Sequence, residues 1–237
     1  MNRIVSWNLG HQTHERPIPP EFLDAIRALS PDVLVLNEYV HGESRAQMTA
    51  GLKLMGLGAV SVSAHVPGQN QVLIASRFPH SIGDLTEPTT TPAAKCNFLH
   101  VIVAGTNVVG MRAPAYKDPK QLAQYWEEAE GLIMHMMARP IVFIGDMNGD
   151  PERQKKPGGR ALKRLREAGW QIPKPEGEWS FISKNGRVSA RIDHAICSPK
   201  ILRPVARYVT RIDGLILAGA AADHAISDHA ALLLDLE

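Results

Sequence analysis

The chain has 237 residues, of which 44% are hydrophobic and 21% are charged, and its formal net charge at pH 7 is +2. This composition is typical of a soluble globular protein and excludes a disordered polyelectrolyte. No apolar run approaches the roughly 20 residues of a membrane span, so we expect no membrane partner. A net charge this small does not by itself indicate a nucleic-acid partner.

The length would allow one large domain or two small ones. Because no repeat or linker divides the sequence, we expect a single domain over residues 1–237. We also expect a monomer. Cys96 and Cys197 are far apart and have no metal-type spacing, which favours a reducing compartment. The sequence begins without a basic-then-apolar leader. We therefore expect a cytoplasmic protein.

Strands and helices alternate along the sequence. Short apolar runs predict strands at residues 3–8, 33–36, 60–62, 72–75, 98–104, 107–111, 141–144, 191–194 and 230–236. Runs such as 33–36 and 141–144 are apolar throughout, as in strands that are covered on both faces. A hairpin about Gly105 and Thr106, together with the intervening helices, predicts mixed sheets rather than one parallel sheet. The fold class is therefore α/β.

Helical spacing of apolar residues predicts four helices. One begins near Phe22 and ends at Ser30, and the others cover 44–55, 118–138 and 158–168. Asp118 is a suitable N-cap for the third, with a proline in its first turn. Gly169 ends the fourth.

Polar side chains follow the ends of several predicted strands. They are Asn8, Glu38, Asp146, Asn148, Asp193, Asp228 and His229. One such residue would be ordinary, because turns favour Asp and Asn. A set that combines oxygen ligands with an imidazole predicts one convergent site at the rim of a sheet.

Five short motifs contain these residues. They are Ser-Trp-Asn at 6–8, Leu-Asn-Glu at 36–38, Gly-Asp-Met-Asn at 145–148, Arg-Ile-Asp-His at 191–194 and Ser-Asp-His at 227–229. Their order and spacing resemble the endonuclease/exonuclease/phosphatase superfamily, which includes deoxyribonuclease I, exonuclease III, neutral sphingomyelinases and inositol polyphosphate phosphatases. The resemblance implies a four-layered sandwich of two mixed β-sheets packed face to face with helices outside. It also implies an active site at one edge of the sandwich.

Phosphoester hydrolysis requires a cation near the phosphate, because negative charge accumulates there. A hard divalent ion held by oxygen ligands meets this need, so we expect Mg²⁺ or Mn²⁺. Glu38 is the first choice of ligand, and Asn8 can hold the metal or a phosphate oxygen. The resemblance implies a direct or indirect metal contact for Asp228. The alternative for Glu38 is a surface acid in an ion pair.

The resemblance assigns the imidazole to His229 and its carboxylate partner to Asp193. A neutral imidazole can accept a proton from water, and a carboxylate on its far nitrogen fixes the tautomer. Asp146 could also orient or deprotonate the water, so the identity of the base stays open. Asn148 is expected to bind the scissile phosphate. The alternative for residues 146–148 is an ordinary Asx turn.

Two positions depart from the pattern of the superfamily. Relatives have a His or Tyr after the strand at 108–111, where this sequence has Arg112. An arginine can bind phosphate through two N–H groups, but its pKa near ~13 makes it a poor proton donor, and Tyr116 is a substitute donor. Gly10 replaces an acidic ligand of the nuclease branch. Fewer carboxylates predict one metal ion rather than two.

A basic stretch follows the Gly-Asp-Met-Asn motif. It contains Arg153, Lys155, Lys156, Arg160, Lys163, Arg164 and Arg166. Lys155 and Lys156 would bind a polyanion beside the site, although a solvated helix face is the alternative. Trp179 and Phe181 could stack on a base or pack in the core. His11 and His14 are more typical of a loop than of a zinc site.

These observations support a metal-dependent phosphodiester hydrolase. The first hypothesis is a nuclease that acts on DNA with low sequence specificity. The second is a phosphatase or phosphodiesterase acting on a small or lipid phosphoester, whose head group Arg112 would contact. A third is a binding module that has lost catalysis, against which the intact polar set argues.

Overall fold

The computed structural model describes residues 1–10, 20–40, 45–88 and 92–237. Within these ranges the helices are α1 (Pro20–Leu29), α2 (Arg45–Leu54), α3 (Pro92–Cys96), α4 (Pro119–His135) and α5 (Pro157–Glu167), with a 3₁₀ turn at Ala221–Asp223. None of these helices is long and apolar enough to cross a membrane. His11 and His14 lie outside the described residues.

Most strands belong to two large sheets. The first sheet contains β1 (Arg3–Asn8), β2 (Val33–Tyr39), β3 (Ala59–Val62), β4 (Gln71–Ser76), β12 (Val205–Val209) and β15 (Ala231–Asp235), in the order β12-β15-β1-β2-β4-β3. The second contains β5 (His80–Ile82), β6 (Phe98–Val103), β7 (Thr106–Met111), β8 (Ile141–Asp146) and β11 (Asp193–Cys197), in the order β11-β8-β7-β6-β5. Two small hairpins are β9 (Phe181–Ile182) with β10 (Ser189–Ala190), and β13 (Arg211–Ile212) with β14 (Leu215–Ile216).

Both large sheets are mixed. In the first, β1 and β2 are parallel, whereas β1 with β15, and β2 with β4, are antiparallel. In the second, β7 and β8 are parallel, and β8 pairs antiparallel with β11. Each parallel pair lies inside its sheet, where both faces are covered. This explains why the runs 33–36 and 141–144 are apolar throughout.

The two sheets pack face to face and helices cover their outer faces, which gives four layers with a core of buried side chains between each neighbouring pair. Val35 of the first sheet and Ile144 of the second belong to the core between the sheets. Phe22 of α1 packs in a second core, on the outer face of the first sheet. Trp126 of α4 and Leu162 of α5 pack in a third core, on the outer face of the second sheet. The predicted four-layered sandwich is therefore confirmed.

Local signals place most element boundaries within a few residues. The Asp118 carboxylate accepts a hydrogen bond from the N–H of Lys120 at 2.9 Å, as expected of an N-cap. The helix α4 ends at His135 rather than Ala138, because the following residues form a turn that leads into β8. The predicted hairpin is formed by β6 and β7.

Candidate active site

The candidate site lies where strand ends of the two large sheets meet. In the first sheet the parallel strands β1 and β2 end together, so Asn8 lies opposite Asn37. In the second sheet β8 ends where β11 begins, so Asp146 lies opposite Asp193. His229 precedes β15, which runs antiparallel to β1 and therefore begins near the end of β1. The topology brings polar residues from both ends of the chain to one edge.

Buried amide groups join the two sheets at this edge. The Asn8 Nδ2 donates to Asp146 Oδ2 at 3.1 Å. The Asn37 Oδ1 accepts from the backbone N–H of Asp146 at 3.2 Å, and its Nδ2 donates to the carbonyl of Met111 at 3.4 Å. Sequence reasoning did not single out Asn37 as a site residue. The available signal is an amide in an otherwise apolar strand, because such a buried group needs hydrogen-bond partners.

Glu38 forms an ion pair with Arg112. The backbone of Glu38 is left-handed, with φ of 54°, and the register of β2 shifts between Leu36 and Tyr39. Its Oε1 lies 2.8 Å from Arg112 Nη2, and the two side chains are 9% and 20% exposed. The Arg112 Nε is 3.7 Å from Asp146 Oδ2, which is too long for a hydrogen bond. Glu38 is therefore paired, but it is not a surface acid.

The segment 146–148 is both an Asx turn and part of the site. The Asp146 Oδ1 accepts from the backbone N–H of Asn148 at 3.0 Å. The Asn148 Nδ2 donates to the carbonyl of Ala113 at 2.7 Å and to Asp146 Oδ2 at 3.3 Å. Both hydrogens of this amide are engaged, so a phosphate oxygen would have to replace the longer contact. The phosphate-binding role of Asn148 stays a prediction.

His229 and Asp193 lie together as a buried pair. The His229 Nδ1 is 2.9 Å from Asp193 Oδ2. The backbone N–H of His229 donates to Ser227 Oγ at 3.1 Å, and its carbonyl accepts from Trp7 Nε1 at 2.8 Å. The ring of Phe181 lies 5.1 Å from the imidazole, between centroids. Several groups therefore fix the histidine, and sequence reasoning missed Ser227 and Trp7 although both lie in the quoted motifs.

Two pKa values at the site are strongly shifted. Burial raises the pKa of Asp146 to about 6, and the charge of Asp193 adds to this effect, while His229 and Arg112 oppose it. Burial alone would lower the pKa of His229, but the charge and hydrogen bond of Asp193, with the charges of Asp146 and Asp228, raise it to about 9. The surrounding carboxylates therefore favour the protonated form of the imidazole. The choice of base between His229 and Asp146 stays a prediction.

Asp228 lies beside the residues that follow β1. A Cβ added to Gly10 would be 3.2 Å from Asp228 Oδ1, and Gly10 has a left-handed φ of 55°. This backbone favours glycine, and an acidic residue there would add negative charge beside the Asp228 carboxylate. Both features disfavour an acidic residue at position 10, in agreement with the departure seen in the sequence.

The remaining predicted substrate residues have different surroundings. Tyr116 is partly buried and packs against the core between the second sheet and its helices. Trp179 packs against the core between the sheets, whereas Phe181 contacts the site through His229. Core packing therefore accounts for Trp179, and Phe181 remains available as a stacking residue.

The basic stretch divides into a paired part and an exposed part. Pairs with acids are Lys163 with Glu167, Arg164 with Glu130, and Arg166 with Glu152. These pairs correspond to the solvated helix face. Lys155 and Lys156 are exposed before α5, and within the described residues no ion pair joins either of them to an acid. Lys155 and Lys156 are therefore the better candidates for contact with a polyanion.

The donor groups of the site fit a hard divalent cation. The carboxyl groups of Glu38, Asp146, Asp193 and Asp228 outnumber the cationic side chains of Arg112 and His229. In the described part of the chain, no group of three or more His, Cys, Asp or Glu side chains is arranged to enclose a metal. Mg²⁺ suits such a site, because waters and substrate phosphates complete a shell begun by one or two carboxylates. A structural zinc site would need a closed set of protein ligands and does not fit.

Comparison with known protein families decides the classification. The model of the Endonuclease/Exonuclease/phosphatase family matches residues 5–229. The chain belongs to this family. It is therefore a phosphoester-hydrolysing enzyme, and enzymes of this family generally use divalent metal ions. The resemblance read from the sequence motifs is confirmed.

Solved structures of the family share the fold over the whole chain. The 3′ phosphatase NExo from Neisseria, bound to a product DNA hairpin, has a TM-score of 0.73 and 20% identity, with 100% of each chain covered. An AP endonuclease from Archaeoglobus fulgidus has a TM-score of 0.73 and 18% identity, again with 100% of each chain covered. Truncated TDP2 from Caenorhabditis elegans has a TM-score of 0.67 and 13% identity over 99% of this chain and 97% of that one. A search of curated protein sequences found no match.

Proposed function

We propose that this protein is a Mg²⁺- or Mn²⁺-dependent nuclease that hydrolyses phosphodiester bonds of DNA with low sequence specificity. The observation that carries the proposal is the buried cluster that spans both sheets, in which Asn8 hydrogen-bonds Asp146 beside the His229–Asp193 pair. Oxygen donors and titratable groups with shifted pKa values at one edge suit hydrolysis better than passive binding.

Glu38 and Asn8 would hold the divalent ion, with Asp228 in direct or water-mediated contact. The fit rests on their oxygen donors and on the excess of carboxyl groups at this edge. A bound cation would offset the negative charge of the phosphate and lower the pKa of His229 toward the neutral form of the ring.

The other polar side chains would orient the reacting groups. Asp193 holds the imidazole of His229 through Nδ1, and Asp146 is the second candidate to activate water. The guanidinium of Arg112 can donate two N–H groups to phosphate oxygens. Because it does not lose its proton, protonation of the leaving group falls to Tyr116 or to solvent.

Two observations favour DNA over a small phosphoester. Two of the structures that share the fold are described as a phosphatase bound to a DNA hairpin and as an AP endonuclease. In this protein Lys155 and Lys156 are exposed in the loop that follows the Asp146–Asn148 turn. Such a loop would attract a polyanion, and the affinity would fall as the salt concentration rises.

The test compares a DNA substrate with a phosphomonoester. Supercoiled plasmid is incubated with the purified protein and Mg²⁺, Mn²⁺ or EDTA, beside para-nitrophenyl phosphate. We expect nicking that requires the metal and no comparable turnover of the monoester. His229→Ala should reduce the nicking rate by at least ~100-fold, since it removes both the acid–base group and the partner of Asp193.

His224→Ala is the matched control, because Asp223-His224 repeats the Asp-His pair but is exposed after the 3₁₀ turn. Its nicking rate should equal that of the wild type. Turnover of the monoester alone would favour the phosphatase hypothesis. DNA binding without hydrolysis in any metal would favour a binding module and contradict the proposal.

A further inference from the structure

Arg112 places a fixed cation inside a site that attracts cations. Its Nη2 is 2.8 Å from Glu38 Oε1, and its Nε is 3.7 Å from Asp146 Oδ2. The pair is largely buried, so the attraction is stronger than between exposed groups. The backbone N–H of Arg112 donates to the carbonyl of Asn97 at 2.9 Å, which fixes the base of the side chain.

A guanidinium and a divalent ion compete for the same carboxylate. Both are attracted to the negative charge of the Glu38 carboxylate, where Arg112 Nη2 already contacts Oε1, and the two positive charges would repel one another at short distance. Because Arg112 cannot lose its proton, only a movement of its side chain would relieve this repulsion. Its buried Nε has no hydrogen-bond partner among the described residues, so the observed position leaves one donor unsatisfied.

We propose that Arg112 is a built-in counter-ion that occupies Glu38 when no metal is bound and thereby weakens the affinity of the site for a divalent cation. This inference rests on the proposed metal-dependent function. With a divalent ion held by Glu38, the guanidinium would move off this carboxylate, and its N–H groups would be free to donate to a substrate phosphate in the bidentate geometry that arginine favours. The metal-free site keeps its buried carboxylates compensated by the same side chain.

The first measurement is Mn²⁺ binding in the absence of substrate, by calorimetry or by the electron paramagnetic resonance signal of free Mn²⁺. Arg112→Met and Arg112→Gln should bind Mn²⁺ at least ~10-fold more tightly than the wild type, because the competing charge is gone. Arg164→Met is the matched control, since it removes a guanidinium that lies 2.5 Å from Glu130 on the outer helices. Its affinity for Mn²⁺ should not change.

The second measurement is thermal unfolding with EDTA and with saturating Mn²⁺. Metal-free Arg112→Met should unfold at a lower temperature than the wild type, because the buried Glu38 carboxylate loses its counter-charge. Mn²⁺ should raise the Tm of the variant by more than it raises that of the wild type, since tighter binding stabilises the folded state more. Arg112→Gln keeps a neutral donor for Glu38, and the same two unfolding measurements are made on it if the methionine variant does not fold.

The outcomes separate this inference from the proposed function. Equal Mn²⁺ affinity in the wild type and both Arg112 variants would overturn the counter-ion role and leave the metal-dependent enzyme intact. Weaker binding in the variants would overturn it as well, because the guanidinium would then support the metal. If no form of the protein binds Mn²⁺, both proposals fail.

Discussion

A single side chain of the site can take part in several hydrogen bonds at once, as Asp146 does. Asp146 accepts hydrogen bonds from the side chain of Asn8 and from both the backbone and the side chain of Asn148. A carboxylate that is 2% exposed requires such partners, because burial without them is costly. Burial still raises its pKa to about 6, so Asp146 changes protonation state close to neutral pH.

At the residue scale, Asn37→Ala tests the amide that joins the sheets. The change leaves the N–H of Asp146 and the carbonyl of Met111 without this partner. We expect a loss of roughly 1–3 kcal/mol in the free energy of unfolding, measured with urea. Because the backbone N–H of Asp146 loses the hydrogen bond that ties it to the first sheet, nicking activity should also fall by roughly 10- to 100-fold, as seen for groups that support site residues.

Asn107→Ala is the control for this prediction. Asn107 is also a buried amide, but it lies in the second sheet, where its side chain bonds His100 Nε2 at 3.0 Å and the carbonyl of Pro140 at 3.1 Å. It should lose a similar amount of stability and keep its activity. Equal losses of activity in the two variants would mean that Asn37 acts through general stability only.

At the scale of elements, the site depends on close approach between β7 and β8. Gly145 precedes Asp146 in β8, and a Cβ there would lie 1.9 Å from the carbonyl oxygen of Met111 and 2.7 Å from Asn37 Oδ1. The φ of Gly145 is 149°, which a residue with a side chain rarely adopts. A side chain at this position would therefore push Asp146 away from the first sheet.

We predict that Gly145→Ala lowers the free energy of unfolding by at least ~3 kcal/mol, because backbone atoms cannot move aside as a flexible side chain can. Gly105→Ala is the matched variant, since Gly105 has φ of 78° in the β6–β7 turn and no atom within 4 Å of an added Cβ. It should cost roughly 1–2 kcal/mol, the strain of a left-handed alanine. Equal costs in urea unfolding would contradict the close approach.

At the scale of the whole molecule, the small net charge conceals an uneven distribution. The paired residues of α5 contribute little field, whereas Lys155 and Lys156 are exposed in the loop that leads from the Asp146–Asn148 turn to α5. Lys200 and Arg203 follow the opposite end of β11, away from Asp193. Arg203 Nη1 lies 3.2 Å from Glu237 Oε2, whereas within the described residues no ion pair joins Lys155 or Lys156 to an acid. Both double reversals change the net charge by the same amount, so a difference between them reports position and pairing rather than net charge.

Reversing both charges with Lys155→Glu and Lys156→Glu should weaken binding of duplex DNA and reduce the slope of log affinity against log salt by up to about 2. The double reversal of Lys200 and Arg203 to glutamate should have little effect on either quantity. Fluorescence anisotropy with a labelled duplex at several salt concentrations measures both. An equal response from the two double variants would assign the effect to net charge alone.

Much of the fold and of the residue set could be predicted from the sequence. The apolar runs located most strands of the two large sheets but not β5 or β12, and not the two small hairpins. Asp118 and Gly169 marked helix ends, and the polar residues after Val33–Leu36 and Ile141–Ile144 identified one edge. These features depend on short-range patterns of hydrophobicity and on turn chemistry, which a sequence displays directly. The ordered motifs added the family and the four-layered architecture.

Only the tertiary structure decided how these residues contact one another. It paired Glu38 with Arg112, joined Asn37 to Asp146, engaged both hydrogens of the Asn148 amide, and raised the pKa of His229. These properties depend on distances of a few ångströms between strands that are remote in the chain. Such distances follow from how two sheets pack and how deeply they bury each charge, and no local sequence pattern encodes them.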